Sequence, residues 1–183
     1  MEVLATLKLV SEGLTVAVTA ISHLVEVVRT LKPAIWNLLP SRAKEERDRL
    51  KSLSQYLIYL GYETNVVTVS SIDAYLQEDQ PSQADWRRVK KALHAALTKT
   101  QAILSDLRSE KSDFVLEDCY KTLRDSLFSR VIILDDLQSI EQPKSEAELT
   151  ALREVNAKYK ELIAQLREAV VVFDSYIKQM PKS

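Results

Sequence analysis

The chain has 183 residues, with 25 Lys+Arg against 26 Asp+Glu, two glycines, five prolines, two histidines and one cysteine. So little glycine and proline excludes collagen-like and low-complexity classes and argues against a turn-dense β-sandwich. An apolar fraction of 46% at a net charge of −1 excludes global disorder, and two histidines with one cysteine cannot build a Cys/His zinc site.

The prolines, at 33, 40, 81, 143 and 181, fall where hydrophobic periodicity lapses, and together with the polar break Ser109-Glu-Lys-Ser-Asp113 they divide the chain into five predicted helices. The first, over 2–32, carries Val3, Leu7, Val10, Leu14, Ala17, Ile21, Leu24, Val28 and Leu31 in alternating steps of four and three. Its flanks are apolar too, at Leu4, Val18 and Val25 on one side and Val16, Ala20 and Val27 on the other. Only a narrow line through Lys8, Glu12, Thr15, Thr19, Ser22, Glu26 and Arg29 is polar, so the helix is expected to be covered on several sides.

The second segment, 42–79, starts with a charged run and continues into Leu50, Leu53, Leu57 and Leu60. As one helix it would be about 57 Å long at 1.5 Å per residue. A kink is expected near Gly61–Val69, where a glycine precedes the β-branched run Val66, Val67, Thr68, Val69. The third helix, 82–110, opens with Ser82 and Asp85 near capping-box spacing and buries Trp86, Val89, Leu93, Ala96 and Leu97. The fourth, 113–141, has Cys119, Leu123, Leu127, Val131, Leu134 and Leu137 in its seam. The fifth, 146–179, follows the capping box Ser145 to Glu148. Asn156 is the one polar residue of its seam, and the plain expectation is a half-exposed side chain. Short connections force antiparallel neighbours. The fold class is therefore all-α, an up-and-down bundle of about five long antiparallel helices in one domain over 1–183.

A lone cysteine forms no intrachain disulfide and fits a reducing, cytoplasmic compartment. The start, Met1-Glu2-Val3-Leu4, has no cationic region of the kind that opens a signal peptide. The longest uncharged apolar stretch, Gly13 to Val25, is shorter than the roughly 20 residues a spanning helix needs.

Catalytic frames are scarce. Glycines only at 13 and 61 leave no phosphate loop, and neither histidine follows a glutamate at the spacing of a diiron bundle. No cofactor or metal is expected, and Cys119 reads as a small core residue. Charge is informative: 81–111 carries net +4 and 112–142 net −4. Arg87, Lys90, Lys91 and His94 share one helical face, a candidate basic patch for phosphate, lipid headgroups or an acidic partner. A near-neutral chain without aromatic–basic interleaving argues against nucleic acid.

The leading expectation is a non-enzymatic protein–protein interaction module, acting through a protein partner or self-association. Its candidate face is Leu14, Val18, Ile21, Val25, Val28 and Trp36. The alternative is a membrane-associating effector that turns the same face and Trp36 to an anionic bilayer surface. In its greasy first helix followed by a bundle, the chain resembles the N-terminal helical domains of cell-death and immune effectors. A second alternative comes from Arg88 and His94. Arg87-Arg88-Val-Lys-Lys-Ala-Leu-His94 is similar to the Arg-x(4–6)-His motif of HEPN-class helical ribonucleases, in which the pair would act around a scissile phosphodiester. Val89 stands where that motif has a polar residue.

Overall fold

Helical periodicity becomes helix throughout the described parts of the computed structural model, which are residues 2–30, 40–58, 65–109 and 117–180. Six helices lie there and no strand: α1 (Val3–Thr30), α2 (Pro40–Ile58), α3 (Asn65–Gln77), α4 (Gln83–Ser109), α5 (Glu117–Ser139) and α6 (Glu146–Gln179). The described helical residues of the segment expected at 42–79 lie in two of these helices, α2 and α3, and residues 59–64 are outside the described set. Val66–Val69, expected at a kink, lies in the regular first turns of α3, while Gly61 and Leu60 are outside the described residues. Four β-branched residues can stay helical there because α3 is held by tertiary packing on α4 and α6, which outweighs a weak local propensity.

The starts of α4 and α6 are capped as their sequences require. Ser145 Oγ accepts from the Glu148 backbone N–H (3.2 Å), and the Glu148 carboxylate accepts from the N–H groups of Ser145 (2.9 Å) and Lys144 (2.8 Å). Ser82 and Asp85 make the same reciprocal arrangement before α4. The Ser82 hydroxyl and then its backbone N–H, donating to Asp85, and the Lys144 and Ser145 N–H groups, donating to Glu148, hold both carboxyls below the ordinary range.

Packing partners order the helices into a ring: α1 lies on α5, α5 on α4, α4 on α3, α3 on α6, and α6 on α1, with α2 also against α6. Consecutive members are antiparallel. Gln142 Nε2 donates to the Pro81 carbonyl (2.7 Å), fixing α5 against α4. Ser54 meets Asp174 (2.8 Å) and Asp73 meets Asn156 (2.6 Å), so α2 and α3 both run against α6. The closing pair is different. Ser22 meets Gln165 (2.9 Å), and further along Arg29 meets Glu168 (2.9 Å), so α1 and α6 are parallel. With α2 and α3 running the same way, the up-down order has an odd number of legs, and its first and last must point alike.

One cluster of buried apolar side chains runs through all six helices. Thr6 and Thr100, both fully buried, avoid unmet hydroxyls by donating to the carbonyls of Glu2 (3.3 Å) and Ala96 (2.7 Å). Gly13 lets α1 and α5 approach closely: a Cβ there would stand 2.8 Å from Ile133 Cδ1. Asn156 corrects the sequence expectation. It is buried, and its amide donates to Asp73, which also receives Lys160 Nζ (2.9 Å).

Candidate functional site

The candidate face on α1 points inward. Leu14, Val18, Ile21, Val25 and Val28 are each 8% exposed or less. In the folded bundle this face is covered by α5 and α6, and it offers nothing to a partner or a bilayer. Trp36, the remaining member, lies outside the described residues. By length and composition α1 could cross a bilayer, since an 18-residue window with few charges passes where the uncharged run alone is short, but a core helix meets the same test.

α1 is covered on two flanks, by α5 and α6, and its outer side is open. Leu9 is 58% exposed and Val16 64%, one on either side of Gly13 in the sequence. Ile132, on the outer side of α5, is 50% exposed and adjoins Ile133, the side chain that meets Gly13. The antiparallel register of α1 and α5 thus brings the three to neighbouring heights on one helix pair. Glu12 and Asp135, both exposed, and the half-buried Asp136 lie on the same two helices at those heights. Sequence reading missed this face because α1 has apolar residues on nearly every side, so composition alone could not say which would be covered.

The basic patch divides. Arg87 and Lys90 line a cleft of about 840 Å³ at the end of the bundle where α1, α4 and α6 begin. Lys91 and His94 are exposed and lie outside it. Lys144, Glu141 and Glu148 come to the cleft from the α5–α6 connection and the first turn of α6, and Trp86 forms part of its wall. Trp86 packs its ring on Tyr75 (centroids 5.2 Å apart), and Tyr75 Oη donates to the Pro143 carbonyl (2.6 Å).

Arg88 and His94 are not brought into one pocket. Arg88 lines a groove between α3 and α4 and pairs with Asp85 (3.2 Å), while His94 is exposed further along the helix. The side chain of Cys119 is outside the described set. Deep in the core, Arg130 and Tyr159 lie within electrostatic reach of one another. Burial lowers the Arg130 pKa and pushes the Tyr159 phenol up to about 12, so Tyr159 stays neutral. Among the described residues no cluster of three or more metal-ligating side chains occurs.

No family model, no curated protein and no solved structure matches the chain.

Proposed function

We propose that the chain is a non-enzymatic interaction module whose α1–α5 outer face receives a basic amphipathic helix of a partner protein. One observation carries the reading: Leu9, Val16 and Ile132 stand exposed at neighbouring heights on one helix pair. Single exposed apolar residues are ordinary on monomers, whereas neighbours on one face mark contact surfaces. Helix-in-groove recognition uses such a stripe, read by residues spaced as Leu9 and Val16 are, seven apart. The carboxylates of Glu12, Asp135 and Asp136 select the charge of the partner, favouring Lys and Arg beside its apolar seam.

The test uses two synthetic helices with the same leucine seam, one flanked by lysines and one by glutamates. Fluorescence anisotropy with the full chain is expected to show binding of the lysine helix, about tenfold tighter than the glutamate helix at low salt and weakening as salt rises. Leu9→Glu with Ile132→Glu should abolish it while circular dichroism stays unchanged. Equal binding of both helices, or binding that survives the double substitution, overturns the proposal. Sedimentation showing a dimer that dissolves in the double variant would instead assign the face to a second copy of the chain.

A further inference from the structure

The outward side of α6 repeats one pattern of exposure every seven residues. Arg153, Glu154 and Ala157 are exposed, then Lys160, Glu161 and Ala164, then Arg167, Glu168 and Val171. The residues between these sets are buried or half-buried, on the side where α1, α2 and α3 pack. Val171, at 67%, is the most exposed of the large apolar side chains among the described residues. Side chains seven apart stand in line along a helix. The outer face of α6 is therefore three columns: basic Arg153, Lys160 and Arg167, apolar Ala157, Ala164 and Val171, and acidic Glu154, Glu161 and Glu168. Two contacts fix their sides. Lys160 Nζ meets Asp73 of α3 (2.9 Å), and Glu168 meets Arg29 of α1 (2.9 Å), so the basic column lies toward α3 and the acidic one toward α1.

An apolar line between charge columns of opposite sign is complementary to itself in one orientation only. A second copy turned about an axis parallel to α6 sets its acidic column against the basic one here and its basic column against the acidic one. Both edges of the contact are then attractive. A two-fold axis across the helix would run the two α6 helices antiparallel, with basic facing basic and acidic facing acidic. Ala157 and Ala164 let the two helix axes approach to roughly 8–10 Å, a separation that charged side chains bridge. Several of these groups already have partners within the chain. Arg153 meets Glu146 (3.0 Å) and Glu161 meets Lys158 (2.9 Å), besides the two pairs above, and Arg167 is also engaged. Surface pairs of this kind are worth little, and a carboxylate or ammonium group has capacity for a second partner.

We infer that α6 pairs with α6 of a second copy of the chain, parallel and in register about a two-fold axis, with Ala157, Ala164 and Val171 at the contact. The inference does not rest on the outer face of α1, which lies on a different helix pair.

Sedimentation of the full chain should show a dimer that forms with rising concentration and weakens with rising salt. Ala164→Glu with Val171→Glu should leave a monomer whose circular dichroism is unchanged. Glu154→Lys with Glu161→Lys, which sets basic groups against basic groups, should weaken the dimer about tenfold or more. The Leu9→Glu, Ile132→Glu chain should remain a dimer, which separates this surface from the one that receives the partner helix. Cross-linking reads the orientation. Cys119→Ser removes the one cysteine. In that background Ala157→Cys should form a disulfide with its own copy on mild oxidation, and so should Val171→Cys. An antiparallel pair centred on Ala164 would join the two only when they are mixed. Should Cys119→Ser fail to fold, the same substitutions are made with Cys119 kept, against the unaltered chain as baseline. A monomer at every concentration, a dimer indifferent to the Ala164/Val171 change, a dimer that dissolves in the Leu9/Ile132 chain, or the absence of self-cross-linking overturns the inference.

Discussion

On the inner side of α1, Leu7, Leu14 and Leu24 have almost no contact with water, whereas Leu9 and Val16 on the outer side stand in it. The residue types are the same and so is the helix. What differs is the neighbour: α5 and α6 close over one side, and nothing among the described residues closes over the other. Apolar character therefore states that a residue can be buried, and the ring decides whether it is. An inner leucine stabilises the molecule, and an outer one is available for recognition.

The sharpest way to break this contrast is truncation on both sides. Leu14→Ala should cost about 2–5 kcal/mol in urea unfolding, the cost of a buried cavity, and Leu9→Ala no more than about 0.5 kcal/mol. Equal losses would mean that the outer side is covered in solution. Gly13, at the border between the two sides, gives a finer test. Gly13→Leu should cost about 1–3 kcal/mol by overpacking against α5. Gly13→Ala places helix propensity, worth about 1 kcal/mol, against the contact with Ile133 Cδ1. Ile133→Val removes that atom, so the double variant should be more stable than the two single changes predict, by about 0.5–1 kcal/mol.

A third test loosens the neighbour of the inner side. Ser145→Ala removes the α6 cap and should cost about 1 kcal/mol. Acid acts on the same cap. The folded carboxyl of Glu148 titrates below its unfolded value, so its contribution is complete above the unfolded value of about 4.3 and disappears as pH falls through the lowered folded value. Amide exchange at Val3–Val10, beside the start of α6, should quicken in that window before exchange near Val28 does. The smallest effect on stability belongs to Val16→Glu, within about 0.5 kcal/mol, although it should weaken binding of the lysine-flanked helix.

The sequence made some of this plain. The unbroken step pattern of α1 identified its inner residues, and Ser145-Glu-Ala-Glu148 identified a cap that forms as expected. Local rules suffice for both, because spacing and capping act within a turn or two. Three things were not legible. The regular helix at Val66–Val69 depends on packing against α4 and α6. The parallel pairing of α1 with α6 needs the closed ring: five antiparallel legs make the first and last point alike, but only tertiary packing says that these two meet. The buried amide of Asn156 depends on Asp73, 83 residues away. For the site, the spacing of Arg87 and Lys90 pointed to a basic face, but only the convergence of three helix starts separates them from Lys91 and His94.

The parallel closure of the ring has a consequence for how the polypeptide is made. About 115 residues separate Thr30 from Glu146, and at roughly 5–20 residues per second a ribosome takes about 6 to 23 seconds to supply them. Throughout that interval the first helix has emerged without the last, and the flank holding Val18, Ser22 and Val25 has no permanent cover. Nascent chains stalled before α6 should therefore be the species that chaperones grip and that aggregate, whereas emergence of α6 lets it zip along α1.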